Sequence, residues 1–183
     1  MSTKITTGKC RLSYVTIFEP RASEDGGEPK YSIAILIPKS DTATVNKIKA
    51  AIAEAREAFC AKNGASALPA NPVSPLHDGD GVKPNSGEPY GPECKGCYVM
   101  NASSKNKPLI LDSFGNECND PNEIYSGCYG RVVINFYGYN NRRKGIGAGL
   151  LGVKKLHDGD PFGTVASASD FEDGYEDDDN FMS

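Results

Sequence analysis

Residues 131–153 constrain the fold more than any other part of the chain, because they have the pattern of a β-hairpin with a basic tip. Val132, Ile134 and Phe136 alternate with more polar residues, and this period of two predicts a strand with one face in a core. An Asn-Asn pair then predicts a turn, and alternate glycines begin the returning strand at Gly145. The apolar face of such a hairpin needs further strands to cover it.

Further segments predict those strands and one helix. The predicted strands are residues 9–18, 30–38, 96–103, 107–112, 127–139 and 145–156. In the first of them, alternation places Leu12 and Tyr14 on the same face. Short strands separated by turns are typical of a closed or nearly closed barrel. We therefore expect a mainly β fold with five to six barrel strands.

The helix is predicted from apolar residues that recur at spacings of three and four between residues 45 and 59. Ser40 and Asp41 provide an N-cap signal, and Asn63 and Gly64 a stop signal. This amphipathic helix would lie against the sheet. Residues 65–92, which follow it, are rich in proline and irregular, as in a functional or mobile loop.

The charge of the chain is strongly segregated. Residues 158–183 contain nine of the 24 acidic residues and no Lys or Arg, so residues 1–157 carry all 20 basic residues and a formal charge of +5. Such asymmetry is typical of a basic body with an acidic interaction tail. We expect a folded domain over residues 1–157 and a flexible, disordered tail over residues 158–183, which has too few apolar residues to fold alone.

The motifs give no indication of catalysis. The two histidines, His77 and His157, both precede Asp-Gly-Asp in sequences typical of turns, and no nucleophile, phosphate-binding or metalloprotease motif is present. We therefore expect a protein that is not an enzyme and needs no cofactor. No apolar run has the length of a membrane span and the N-terminus has no apolar signal core, so we expect no membrane association and a cytoplasmic location.

Cysteine spacing leaves one alternative open. Cys94 and Cys97 form a CxxC pair, and Cys118 and Cys128 follow at a spacing that lacks a second pair. Four thiols could make a zinc-ribbon interaction module. Reduced free thiols are the other interpretation in a reducing compartment.

Basic residues interleaved with aromatic residues favour single-stranded nucleic acid as the ligand. Rings can stack on bases while cations hold phosphates, and this recognition does not depend on base sequence. The candidate DNA-binding residues are Arg131, Tyr137, Tyr139, Arg142, Arg143, Lys144, Lys105, Lys107, Tyr31 and Tyr98.

The acidic tail strengthens this interpretation. Its carboxylates could occupy a basic groove in the absence of DNA, and its aromatic residues could dock on partner proteins once DNA displaces it. The residues assigned to this role are Asp170, Phe171, Glu172, Asp173, Tyr175, Glu176, Asp177, Asp178, Asp179 and Phe181.

Several segments resemble a phage single-stranded DNA-binding protein family, formerly described only as a phage domain of unknown function. The similar segments are residues 98–105 (YVMNASSK), 125–131 (YSGCYGR), 136–137 (FY), 144–155 (KGIGAGLLGVKK) and 158–161 (DGDP). The plan is also similar to the replication proteins of T-odd phages, which end in an acidic tail with an aromatic residue. Here Phe181 is followed by Met182 and Ser183, so the ring is not terminal.

The resemblance implies an OB-fold barrel that binds single-stranded DNA without base specificity in replication or recombination, in the cytoplasm of a bacterial host. It also implies replication or recombination proteins as partners of the tail, and a homodimer is possible. The alternatives to this function are the zinc-ribbon module and a phage decoy that binds a host DNA-binding protein.

Overall fold

A computed structural model describes residues 3–22, 27–83, 86–140, 143–162 and Gly174. The strands and the α-helix are, in chain order, β1 (Lys4–Thr6), β2 (Cys10–Arg21), β3 (Lys30–Pro38), α1 (Thr42–Asn63), β4 (Leu76–Asp78), β5 (Cys97–Ser104), β6 (Leu109–Leu111), β7 (Tyr129–Tyr139) and β8 (Gly145–His157). A short 3₁₀ turn at Pro92–Cys94 precedes β5.

Five strands close into a barrel in the order β2-β3-β5-β8-β7, because β7 pairs with β8 on one edge and with β2 on the other. The β5–β8 pair is parallel and the other four pairs are antiparallel. This is the partly open Greek-key arrangement of an OB-fold. The predicted mainly β, OB-fold-like barrel with one helix is confirmed, and the short strands β1, β4 and β6 extend its sheet.

Alternate residues of the barrel strands form the core. Ile33, Ile35 and Ile37 of β3 face Met100 and Ala102 of β5, and all five side chains are buried. The predicted inward residues of β7, namely Val132, Ile134 and Phe136, are buried in the same cluster. The alternation in the sequence therefore identified the core faces of β3 and β7 correctly.

Helix α1 packs against one side of this barrel, as its amphipathic pattern predicts. The Asp41 side chain accepts a hydrogen bond from the Thr44 amide at 3.2 Å and so caps the first turn. The buried face of α1 includes Ile48 and Ala51. Near its end, Phe59 covers Gly138 of β7 so closely that a Cβ at Gly138 would overlap the ring. The glycine therefore permits the close contact between helix and barrel.

Strand β2 departs from the predicted alternation. Its pairing with β3 shifts between Ser13 and Thr16, and Tyr14 has a φ of 45°. As a result Leu12 is fully buried while Tyr14 is 75% exposed, so the prediction that they share a face is wrong. A β-bulge redirects side chains in this way.

Two further predictions concern membrane association and the acidic tail. No helix in the described ranges is both long and apolar enough to cross a membrane. The predicted disorder of the acidic tail falls outside the described residues, apart from residues 158–162 and Gly174.

Candidate nucleic-acid interface

A row of small or polar residues crosses the outer surface of all five barrel strands. Thr16 of β2 is opposite Ser32 of β3, and Ser32 is opposite Ser103 of β5. Ser103 pairs with Gly149 of β8, which pairs with Asn135 of β7. Directly paired residues lie on the same face of a sheet. Four strand spacings give the row a length of about 19 Å.

A second row runs beside the first on the same face. Ser13 of β2 is opposite Ala34 of β3, and Ala34 is opposite Asn101 of β5. We call the surface formed by both rows and Gly147 the channel; its residues are Ser13, Thr16, Ser32, Ala34, Asn101, Ser103, Asn135, Gly147 and Gly149. The face of the second and third OB strands is where this fold binds oligonucleotides. Here those strands are β3 and β5.

Tyr137 forms one end of the channel. It is 45% exposed, and its ring lies over β8. A Cβ at Gly147 would be only 2.7 Å from Cζ of this ring, and one at Gly149 would be 3.6 Å from Cε1. The two glycines therefore let the ring lie flat across the strand. A flat, exposed ring is a stacking platform for a base.

Tyr14 stands at the other end. It is the most exposed of the described tyrosines, and it lines the same cavity as Ser13, Ala34 and Asn101. Its positive φ is a strained conformation for a residue with a Cβ, at a cost of about 1–3 kcal/mol. Strain that places an aromatic ring in solvent is a marker of a functional position.

The basic hairpin tip adjoins the Tyr137 end. Arg143 and Lys144 are exposed, whereas Arg142 lies outside the described residues. The backbone at the tip is held in place, because the Val73 amide donates to the Lys144 carbonyl at 3.1 Å and the Ile146 amide donates to the Val73 carbonyl at 2.8 Å. This connection corresponds to the β4–β5 loop of an OB-fold, which contacts nucleic acid. The cations are therefore well placed to hold phosphates.

The predicted lysines lie on other connections. Lys105 follows β5 and makes an exposed ion pair of 2.9 Å with Glu28, and its hydrogen bond lowers the pKa of that carboxyl group. Glu28 belongs to the β2–β3 connection, so the pair lies next to a second OB-fold binding loop. Lys107 donates to the Asn119 side chain at 3.0 Å, and it borders a small cavity beside β6.

Two of the predicted site residues, Tyr31 and Tyr98, lie away from the channel. Tyr31 and Tyr98 pair with Ser104 and Ile37, which places them on the core side of β3 and β5 because each strand alternates. Tyr98 packs against the core under Lys49, whose Nζ lies 5.6 Å from the ring centroid. Sequence alone did not reveal this, because their orientation depends on the register.

Arg131 lies in a separate groove with Lys4 and Lys47, between β1, β7 and α1. Its Nε donates to the Thr7 carbonyl at 2.8 Å, which ties it to the N-terminal segment. The structure therefore does not bring Arg131 to the hairpin tip. Tyr139 does lie there, and its hydroxyl would be 2.9 Å from a Cβ at Gly145.

The root of the tail, residues 158–162, contacts the barrel beside the channel. Arg11 of β2 donates to the Asp160 carbonyl at 2.8 Å, and its Cζ lies 4.3 Å from the centroid of the Phe162 ring. Phe162 also packs against a cluster of Leu36, Cys94 and Val99 on the outer face. The chain therefore leaves the barrel at the β2–β3 side of the channel.

The four thiols proposed for zinc do not share one site. Cys94 belongs to the outer-face cluster with Cys97 packed against it, Cys128 is fully buried in the main core, and the thiol of Cys118 lies 3.8 Å from the Asp120 carbonyl oxygen. Within the described ranges, no three His, Cys, Asp or Glu side chains are grouped as metal ligands. Burial raises the pKa of both Cys94 and Cys97, so these thiols stay protonated.

The floor of the channel and the place of Tyr14 at its end were not predicted from the sequence. The signal for the floor was present in the small residues at alternate positions of two strands, Asn101 and Ser103 in one and Gly147 and Gly149 in the other. Such positions mark close approach of a ligand or another backbone. Tyr14 is one of the aromatic residues interleaved with the cations, but no sequence signal singled it out, because the bulge that exposes it depends on pairing with β3.

Comparison with known proteins gives consistent matches over the whole chain. A family model described as "Enterobacter phage Enc34, ssDNA-binding protein" matches residues 3–182. "Putative protein p50" of Acyrthosiphon pisum secondary endosymbiont phage 1 is 34% identical in an alignment 178 residues long, which covers 93% of this chain and 93% of that protein.

Solved structures agree with these matches. The single-stranded DNA-binding protein from bacteriophage Enc34, in complex with ssDNA, is 36% identical, with a TM-score of 0.72 over 88% of this chain and 90% of that one. The single-stranded DNA-binding protein gp2.5 encoded by bacteriophage T7 is 16% identical, with a TM-score of 0.60 over 96% and 98% of the two chains, which shows likeness of fold alone.

Proposed function

Because the chain belongs to the Enc34 phage ssDNA-binding protein family, we propose that it binds single-stranded DNA across the channel and catalyses no reaction. The observation that carries this proposal is the row of small residues across five strands, with Tyr14 and Tyr137 at its ends and Arg143 and Lys144 beside it. Small side chains let the strand approach the sheet, the rings stack on bases, and the cations contact phosphates.

Binding of this kind tolerates any base sequence in the DNA. Stacking and phosphate contacts account for most of the binding, and every base has a ring face and a phosphate. A protein of this kind would protect single-stranded DNA during phage replication or recombination in the cytoplasm of the bacterial host. Partner proteins would be recruited through the aromatic residues of the tail.

The tail is proposed to compete with DNA for the channel. Its root is held beside the channel by the contacts of Arg11 with Asp160 and Phe162. Asp170 follows Phe162 by eight residue steps, and an extended segment of that length reaches at most about 29 Å. This reach exceeds the length of the channel row. The acidic segment can therefore cover the channel and meet the cations of the hairpin tip.

A polarisation titration tests the proposal. We expect the full chain to bind labelled oligo-dT more tightly than a duplex of the same length, because only a single strand presents unstacked bases. The logarithm of affinity should fall linearly with the logarithm of salt concentration, with a slope of about −0.7 for each phosphate neutralised. Equal affinity for the two DNAs at low salt would refute the function.

A further inference from the structure

The connection between α1 and β5, as described over residues 73–83 and 86–94, borders a cavity at the Tyr14 end of the channel. The cavity has a volume of about 390 Å³ and is bounded by Ser13, Tyr14 and Asn101 on the sheet side. His77 of β4 and Glu93 of the 3₁₀ turn bound it on the other side. It is therefore continuous with the channel yet has walls of its own.

Polar groups converge on this cavity without protein partners. The side chains of His77, Glu93 and Asn101 form no hydrogen bond or ion pair with any residue that the structure describes. Lys83 also borders the cavity and makes no ion pair with Glu93. A concave site with a few convergent, unpaired polar groups is typical of a ligand-binding pocket.

The chemistry of the side chains around the cavity indicates which kind of ligand it can bind. Tyr14 offers a ring face, as a planar heterocycle requires. Asn101 can both donate and accept, whereas the Glu93 carboxylate only accepts. Burial lowers the pKa of His77, so its imidazole is neutral near pH 7 and offers one donor and one acceptor. The Glu93 carboxylate repels phosphate, whereas Lys83 is exposed at the edge of the cavity and attracts it, so a base fits beside Glu93 and the backbone of the strand beside Lys83.

We propose that the cavity is a pocket for one unstacked base of the bound strand, and that it favours bases with an exocyclic amino group. Glu93 accepts a hydrogen bond from the amino group, Asn101 contacts the adjacent ring nitrogen or carbonyl, and Tyr14 stacks on the ring. Carboxylates pair with the N4 amino group of cytosine. Thymine presents a carbonyl oxygen at the same position, which Glu93 repels. This inference rests on the proposed binding of single-stranded DNA.

The test compares labelled oligo-dC, oligo-dT and oligo-dU of equal length with the full chain, at mildly alkaline pH. We expect oligo-dC to bind about three- to tenfold more tightly than the other two. Oligo-dU has neither the amino group of cytosine nor the methyl group of thymine, so it shows which of the two groups causes a difference between oligo-dC and oligo-dT. Glu93→Gln should bring the dC/dT affinity ratio close to one, and Asn101→Ala should also lower it.

The control is Glu88→Gln, which removes the same charge from an exposed position on the same segment outside the cavity. It should change all three affinities by the same factor. If the wild-type chain binds oligo-dC and oligo-dT with equal affinity, the base pocket is refuted. It is also refuted if Glu93→Gln keeps the thermal stability of the wild type and leaves the dC/dT affinity ratio unchanged. If oligo-dU binds as tightly as oligo-dC, the methyl group is the cause and the amino-group preference is refuted. Loss of preference over duplex would instead refute the proposed function.

Discussion

At the scale of single residues, two tyrosines set the ends of the channel by different means. Tyr137 follows the alternation of β7 and lies flat because glycines stand opposite it. Tyr14 is exposed by a bulge and a positive φ. The described chain also has an exposed aromatic residue elsewhere, Phe114, in a turn after β6. Exposure alone therefore does not identify a stacking residue. The residue must also lie in the channel.

Replacing Tyr14 or Tyr137 by Ala should weaken binding to oligo-dT by about 1–3 kcal/mol, because each substitution removes one stacking surface. Tyr→Phe at either position should retain most of the affinity. Phe114→Ala is the matched control, and it should leave the affinity unchanged. Polarisation titrations of the five variants measure the effect. A loss with Phe114→Ala as large as with Tyr14→Ala would contradict the assignment.

Lys155 is a second informative residue, since its side chain is only 7% exposed and pairs with Asp158 at 2.6 Å and Glu123 at 3.4 Å. Hydrogen bonds from Lys155 and Tyr125 lower the pKa of Asp158. Burial alone would lower the pKa of Lys155, but its hydrogen bonds to Asp158 and Glu123 outweigh burial and raise it. The cluster joins the end of β8 to the root of the tail.

The signs of these shifts define a pH window. The lowered pKa of Asp158 contributes stability above about pH 4, the ordinary value for Asp, and this contribution is lost as the pH falls through the folded-state pKa. The raised pKa of Lys155 contributes stability that is complete below about pH 10, the ordinary value for Lys, and is lost as the pH rises through the higher folded-state pKa. Asp158→Asn should therefore lower the urea midpoint between these limits, and the difference should disappear on acidification. Asp160→Asn, which changes a neighbouring exposed carboxyl group, is the control. A difference that persists unchanged at low pH would argue against the ion pair.

At the scale of elements, the β7–β8 hairpin combines two roles. Its inward residues supply the barrel core, while its outward residues supply Tyr137, Gly147 and Gly149 of the channel. Its tip carries the cations. Because successive side chains of a strand point to opposite faces, one face of the hairpin contributes to stability and the other to binding.

Replacing Arg142, Arg143 and Lys144 together by Ala should weaken binding to all single strands by the same factor, because phosphate contacts carry no base information. The salt slope should become shallower by up to about 2, the value for three phosphates. The control is Ala replacement of Lys47, Lys49 and Lys62, three exposed lysines on α1. An equal loss from both triple variants would show that only the overall charge matters.

At the scale of the whole molecule, the acidic tail begins next to the channel of the basic barrel domain. Arg11 holds the root of the tail, residues 158–162, beside the channel through its contacts with Asp160 and Phe162. Deleting residues 170–183 should therefore strengthen binding to oligo-dT, most of all at low salt, where repulsion between the tail and DNA is greatest. The control replaces the acidic residues of the same segment by Asn and Gln and keeps its length. Both changes should give the same gain, as measured by titration over a range of salt concentrations. Unchanged or weaker binding would refute competition by the tail.

The sequence by itself determined the five barrel strands, β6 and the helix, but not the short strands β1 and β4. The bounds of β3, the Asp41 cap of α1 and the buried residues of β7 were all predictable, because each depends on residues close together in the chain. The basic tip of the hairpin and the acidic tail were also evident as runs of charge.

Only the tertiary structure decided which residues share a surface. Strand register placed Ser32, Ser103 and Gly149 in one row and turned Tyr31 and Tyr98 toward the core side. A bulge in β2 exposed Tyr14, and closure of the barrel brought strands from both halves of the chain together. The physical reason is that a shift of register by one residue exchanges the two faces of a strand. Local sequence gives the period of a strand but not its pairing.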